Sequence, residues 1–254
     1  MKMVVMGQAR GLRFRSEAIP FKSPWNQARS LPPVLLLVYA PALLVLMAVF
    51  ASSLKSGIPV SYFLRDAAGT LQVPSYVGLV SNLGALLWCA GAAVCFFGSV
   101  LLRKVGAGEE AREWSSFFLA AGLVTTVLLI DDLFMLHENV SEVYWRFGEK
   151  TIFALYGGMF LLFLARFWKK LATTDFLVFL LACGLLGMSV LFDQWNEPFG
   201  DNVPAMRLLL EDGAKLLGIL TWLLYFARTC LAQLLPALTA NRPTVQEQPL
   251  VAGR

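Results

Sequence analysis

The sequence has few charged residues and a single histidine, and these shortages exclude whole classes of protein. Charged residues make up 15% of the 254 positions and hydrophobic residues 57%, with a mean hydropathy of +0.65. Soluble domains carry about 25% charged and about 45–50% apolar residues. The composition therefore excludes a soluble globular enzyme, a disordered protein and a nucleic-acid-binding protein.

The lone histidine, His137, limits the metal chemistry that the chain can support. A three-histidine zinc site and a di-iron bundle with two Glu-x-x-His pairs both need more histidines. The four cysteines lie in or beside apolar segments without C-x-x-C spacing, which argues against a zinc site or a disulfide framework. A metal site in this chain would be built mainly from oxygen ligands, which favour magnesium, manganese or calcium over zinc.

Long apolar runs are the most abundant feature of the sequence. A membrane-spanning helix needs about 20 mostly apolar residues, and six segments meet this requirement. We therefore predict an all-α fold, a polytopic membrane bundle of six transmembrane helices. The predicted spans are 33–54, 76–102, 115–135, 152–167, 176–192 and 206–231.

Basic residues are distributed unequally around these spans. Lysine and arginine in short loops favour the cytoplasmic side, and six spans place 15 of the 21 basic residues on the side that holds both termini. We predict that both termini are cytoplasmic and that the protein is integral to a bacterial inner (plasma) membrane. The first apolar run is too long for a signal peptide, so we expect it to be retained as a span.

The same pattern divides the chain into three parts. We predict a basic cytoplasmic N-terminal segment at 1–30, a six-helix transmembrane domain at 31–233, and a polar cytoplasmic tail at 234–254. Membrane lipid is the expected partner of such a protein, and no nucleic acid is expected. The sequence gives no indication of the oligomeric state.

Acidic residues concentrate at the extracytoplasmic end of spans 3, 5 and 6. Ionisable side chains cost about 2.5–3.5 kcal/mol near the centre of a transmembrane helix and less near its end. They are therefore expected to face one another or a wet cavity and not lipid. Lys215 follows the acids of span 6 by one turn, so an ion pair within that helix is available. The candidate metal ligands are Asp131, Asp132, Glu138, Asp193, Glu211 and Asp212.

Further residues at this end have candidate roles in a reaction. A metal would polarise a phosphoryl or acyl oxygen. His137 or Glu138 would act as general base, and Lys215 or Arg207 would stabilise developing negative charge. Arg207 and Trp195 would contact the substrate, although Trp195 also fits an aromatic belt at the membrane interface.

These assignments predict a metal-dependent membrane hydrolase or transferase that acts on a lipid or lipid-linked substrate. Two alternatives remain open from the sequence. One is a non-catalytic membrane subunit or sensor, and the other is an ion- or proton-coupled transporter. A polar network between helices would explain the same acids without any ligand.

Small residues are grouped in three of the predicted spans. Such residues allow close approach of membrane helices, so all three groups are interpreted as packing positions. Gly157 and Gly158 form the group in span 4, and Gly184 and Gly187 form the group in span 5. The strip in span 2 consists of Gly91, Cys95, Gly98 and Ser99.

Overall fold

The computed structural model describes residues 24–65, 67–106, 108–136, 149–194 and 205–240. Within these ranges the regular structure is entirely helical, without strands. The helices are α1 (Pro24–Ser56), α2 (Ser61–Leu64), α3 (Ala67–Leu71), α4 (Leu79–Val105), α5 (Gly108–Phe134), α6 (Glu149–Ala172), α7 (Phe176–Gln194) and α8 (Ala205–Ala240).

Six of these helices are long and apolar enough to cross a membrane, namely α1 and α4 to α8. This finding confirms the predicted all-α, polytopic membrane fold and its six spans, while the orientation of the termini stays a prediction. Several helices extend past the predicted spans, since α1 begins at Pro24 and α8 continues through Pro236 to Ala240. Hydropathy detects only the apolar stretch of a helix, whereas backbone hydrogen bonding continues into its polar ends.

The chain divides into two compact units, residues 1–75 and 76–254. The first unit contains α1, α2 and α3. Most described side chains of α1 are exposed, including Leu44 and Leu54, which suits contact with lipid tails. Gly57 ends α1 in the left-handed conformation (φ 72°), and its N–H donates to the carbonyl of Ser53 at 2.9 Å. Glycine is favoured at this position because it carries no Cβ.

The second unit contains α4 to α8, in which α4 packs against α5 and α8, and α7 packs against α8. The small-residue strip of span 2 is buried on α4, which confirms its predicted packing role. The Ser99 hydroxyl donates to the carbonyl of Ser115 at 2.8 Å, and the Ser115 hydroxyl donates to the carbonyl of Ser99 at 2.9 Å. These reciprocal bonds join α4 to α5 in an apolar environment.

Aromatic side chains fill the centre of the second unit. Helix α6 joins this core through Phe163 and Phe167, whose ring centroids lie 5.6 and 5.5 Å from that of Phe117. Aromatic pairs at these distances contribute beyond their buried area. The most deeply buried aromatic side chains are Phe117, Phe118, Trp222, Tyr225 and Phe226.

The glycines of α6 and α7 differ from the prediction that they pack against neighbouring helices. A Cβ built at Gly157, Gly158, Gly184 or Gly187 would meet no atom of the described residues within 4 Å. At Gly218 of α8, by contrast, a Cβ would lie 2.8 Å from Leu186 Cγ. The sequence gives the spacing of small residues, but the rotation of each helix decides which of them face a partner.

Candidate functional site: an acidic cavity

A cavity of about 480 Å³ lies among α5, α6, α7 and α8, with Trp88 of α4 also lining it. Much of its wall is apolar and includes Phe160 and Trp222. We call this space the acidic cavity. Its polar and ionisable lining residues are Asp131, Asp132, Tyr156, Ser189, Asp193, Glu211 and Lys215.

The antiparallel order of the helices brings these side chains to similar depths. Asp131 and Asp132 lie in the last turn of α5, and Asp193 is the penultimate residue of α7. Tyr156 lies two turns into α6, and Glu211 lies in the second turn of α8. Two turns correspond to about 11 Å along a helix, so the polar groups lie near one end of the unit. Four of the predicted ligands, from three helices, thus line one cavity.

Asp132 and Lys215 form an ion pair between α5 and α8 through Asp132 Oδ1. The Asp132 side chain is 5% exposed and the Lys215 side chain 39%. Asp132 Oδ2 is buried and has no hydrogen-bond partner among the described residues. A Cβ built at Gly84 of α4 would lie 3.5 Å from this oxygen. The stability of an ionised carboxylate that is enclosed to this degree depends strongly on its charged partner.

The partner of Lys215 differs from the one that helical spacing suggested. Glu211 and Asp212 were available at the right spacing on α8, but the ammonium group pairs with Asp132 across the bundle. The reason is orientation, because the Lys215 side chain follows the face of α8 that is directed at α5. The Asp132 side chain on α5 is 5% exposed, whereas Asp212 of α8 is exposed.

Asp131 is also buried and accepts a hydrogen bond from Tyr156. The tyrosine hydroxyl donates to Asp131 Oδ1 at 2.9 Å, which links α6 to α5. Tyr156 was missed in the sequence analysis. The sequence feature that could have identified Tyr156 is its position near the start of span 4, where a hydroxyl-bearing aromatic residue lies at the same membrane end as the acids. Hydrogen bonds to ionised groups are stronger than those between neutral groups.

Arg207, the predicted substrate contact, binds the end of α7. Its Nη2 donates to the carbonyls of Phe192 and Asp193 at 2.9 and 3.1 Å, and its Nε donates to the carbonyl of Phe192 at 3.2 Å. The last carbonyls of a helix lack intrahelical donors and carry partial negative charge. Arg207 therefore stabilises the C-terminus of α7 beside the cavity.

The remaining predicted residues fall into three groups. Asp193 and Glu211 are half-buried and line the cavity. Asp212 is exposed and is not part of the lining, because consecutive residues point about 100° apart around a helix. His137, Glu138 and Trp195 lie outside the described residues.

The candidate metal ligands do not form a metal cluster within the described ranges. No group of three or more histidine, cysteine, aspartate or glutamate residues there is arranged to hold an ion. Two of the carboxylates have protein partners, since Asp131 accepts from Tyr156 and Asp132 pairs with Lys215.

Trp222 connects the cavity wall to the core. Its indole Nε1 donates to the hydroxyl oxygen of Thr125 at 3.0 Å, and the Thr125 hydroxyl donates to the carbonyl of Ala121 at 2.8 Å. The ring also contacts Trp88 edge-to-face, with centroids 6.0 Å apart. These contacts satisfy the buried indole and hold two aromatic rings at the wall of the cavity.

The fold defines a polytopic helical membrane protein, and the second unit encloses an acidic cavity. Residues 36–229 match a family described as a domain of unknown function, DUF8692. The match covers about three quarters of the chain, so the chain belongs to this family. All described residues of the acidic cavity fall within the matched region. Neither a curated protein nor a solved structure matches the chain.

Proposed function

We propose that the protein is a membrane hydrolase or transferase that binds a lipid or lipid-linked substrate in the acidic cavity. The supporting observation is that carboxylates, a lysine and a tyrosine hydroxyl share one cavity with apolar and aromatic walls. Ligand sites are concave, mostly apolar and about 300–1,000 Å³ in volume, with a few convergent polar groups. An amphipathic substrate would place its polar group near Asp132 and Glu211, and its hydrocarbon part against Trp88 and Trp222.

The charged residues have distinct roles in this proposal. Lys215 stabilises negative charge that develops on the reacting oxygen, and Asp132 holds the ammonium group in place. Glu211 is half-buried in the same cavity and accepts the proton of an attacking water or hydroxyl group. His137 and Glu138 follow α5 in the sequence, and their role as general base also stays a proposal.

A divalent cation is a separate part of the proposal. Its support is Asp132 Oδ2, a buried carboxylate oxygen that has no hydrogen-bond partner in the described part of the chain, and the presence of Asp193 and Glu211 in the same lining. Magnesium, manganese and calcium prefer oxygen ligands of this kind. Because the described carboxylates are not grouped as a ligand set, an ion would have to draw them together.

The packing of the described helices favours an enzyme over a transporter. A transporter needs a route through the membrane that is lined by polar residues. Along α8, the residues on the far side of Trp222 from the acids include Tyr225 and Phe226, which are fully buried in the aromatic core. Aromatic packing, and not a polar route, therefore continues from the cavity in this direction. A non-catalytic sensor would use the same cavity without converting its ligand, so turnover distinguishes that alternative.

The direct experiment is to incubate the purified protein with membrane lipids and compare the lipids by mass spectrometry before and after. We expect conversion of one lipid class by the wild type and loss of that conversion in Glu211→Gln. Glu113→Gln is the matched control, since it removes a carboxylate that pairs with Lys170 at 2.8 Å near the other end of α5. Absence of conversion by the wild type would refute the enzyme, and equal conversion by both variants would refute the role of Glu211.

Elemental analysis of the same samples tests the cation. We expect near-stoichiometric magnesium, manganese or calcium in the wild type and none in an Asp131→Asn/Asp132→Asn double variant. Lipid conversion by protein without bound metal would remove the cation from the proposal and leave the enzyme in place.

A further inference from the structure

The described lining of the acidic cavity carries more acids than bases. Asp131, Asp132, Asp193 and Glu211 contribute four carboxyl groups, whereas Lys215 contributes one ammonium group. Charges that are removed from water must be compensated by a partner. The lining of the cavity therefore favours a positively charged ligand group.

The basic residues beside the cavity are already engaged by the protein. Lys215 pairs with Asp132, and Arg207 binds carbonyl groups at the end of α7. An anionic head group would have to replace these contacts while approaching Asp193 and Glu211. Placing like charges together costs several kcal/mol. A phosphate or carboxylate is thus the less favourable occupant.

The cavity wall includes two glycines that have no packing role. Gly157 of α6 and Gly187 of α7 are exposed and line the cavity, and a Cβ at either position would meet no atom within 4 Å in the part of the chain that the structure describes. Glycine weakens a helix relative to other residues. Both glycines therefore border open space at the wall that α6 and α7 contribute to the acidic cavity.

An aromatic pair bounds this opening on its deeper side. Phe160 of α6 and Phe179 of α7 stack with centroids 6.2 Å apart and an interplanar angle of 20°. Phe160 lies about one turn beyond Gly157, and Phe179 about two turns before Gly187. The backbones of α6 and α7 are not among the closely packed helix pairs. The two helices therefore contact each other through this aromatic pair, whereas Gly157 and Gly187 border open space.

We infer that the acidic cavity takes a single-chain lipid with a cationic amine head group, which enters from the bilayer between α6 and α7 past Gly157 and Gly187. The amine lies among the carboxylates, including the buried Asp132 Oδ2, where it takes the place of the divalent cation considered above, and the chain lies against Trp88 and Trp222. Aromatic rings also attract cations through their π faces. This inference rests on the proposed function, because it names the substrate class of the same cavity.

The first test measures the binding of radiolabelled hexadecylamine to the full-length protein in phosphatidylcholine nanodiscs, with protein-free discs as background. Hexadecanol and hexadecyl phosphate serve as comparators because they carry the same chain. We expect saturable binding of the amine and binding about tenfold weaker for both comparators, a difference of about 1.4 kcal/mol. Equal or tighter binding of either comparator would overturn the inference.

The second test uses matched glycine variants of the same two helices. Gly157→Leu and Gly187→Leu fill the opening and should weaken amine binding about tenfold. Gly158→Leu and Gly184→Leu occupy equally open positions that do not line the cavity, and they should bind as the wild type does. Equal binding by the lining and non-lining variants would refute entry at this place. The two helices give independent readings if one variant fails to fold.

A third variant connects binding with charge. Glu211→Gln keeps the size of the side chain and should weaken binding of the amine while strengthening that of hexadecyl phosphate relative to the wild type. Unchanged affinities would contradict the charge argument. Because binding is measured without turnover, selective amine binding without lipid conversion would refute only the enzyme. Lipid conversion without selective amine binding would refute only this inference.

Discussion

The ion pair between Asp132 and Lys215 is the most constrained pair of residues at the cavity. Asp132 is almost fully enclosed, whereas part of the lysine side chain remains exposed. Removing one member of a buried pair leaves the other charge without compensation and costs about 3–5 kcal/mol. The partial exposure of Lys215 places the expected cost at the lower end of this range.

We predict that Lys215→Met lowers the free energy of unfolding by about 3 kcal/mol, measured by equilibrium unfolding in mixed micelles. Lys170→Met is the control, because its partner Glu113 is 53% exposed, and it should cost about 1 kcal/mol or less. Adding Asp132→Asn to Lys215→Met should recover most of the loss. If both single variants cost the same, the ion pair would not have the assigned importance.

The predictability of the cavity differs from residue to residue. Asp131, Asp132, Asp193 and Glu211 could be grouped from sequence because each lies at the same end of an apolar run. The pairing of Lys215 could not, since i to i+4 spacing describes only contacts within one helix. Helix rotation and packing decide contacts across the bundle. The partner of Asp131 was missed for the same reason.

At the scale of helices, the interface of α7 with α8 depends on a glycine. A Cβ at Gly218 would lie 2.8 Å from Leu186 Cγ and 3.0 Å from its backbone nitrogen. The backbone nitrogen cannot move without displacing α7. Gly213 lies on the same helix, and a Cβ there would meet no atom within 4 Å. The two positions therefore separate close packing from helix propensity.

We predict that Gly218→Ala destabilises the protein by about 1–3 kcal/mol through overpacking. Gly213→Ala should instead stabilise it by up to about 1 kcal/mol, because alanine favours helix more than glycine does. Thermal unfolding in detergent measures both. A stabilising Gly218→Ala variant would show that α7 and α8 are farther apart than described.

The helices themselves could be predicted well because apolar length is a strong signal in a membrane protein. Their ends were less predictable, as α8 shows by continuing from the predicted limit at residue 231 to Ala240. The small-residue strip on α4 was predicted correctly. The same reasoning was wrong for Gly157 and Gly187, because nothing in their spacing shows that α6 and α7 separate there.

For the whole molecule, the direction of insertion determines which compartment the cavity faces. Six spans would place both termini on one side of the membrane, and the excess of lysine and arginine on that side predicts that it is cytoplasmic. The connections from α5 to α6 and from α7 to α8 then lie on the extracytoplasmic side. A substrate bound near those connections would come from the outer leaflet.

We predict that green fluorescent protein fused after residue 254 is fluorescent in a bacterial host, whereas alkaline phosphatase fused there is inactive. Fusions after residue 145, in the chain between α5 and α6, should give the opposite result. The reporters respond oppositely to the two compartments, so each fusion controls for the expression of the other. A fluorescent fusion at residue 145 would reverse the topology and place the acidic cavity on the cytoplasmic side. The substrate would then come from the inner leaflet, while the charge and packing arguments for the cavity would stand.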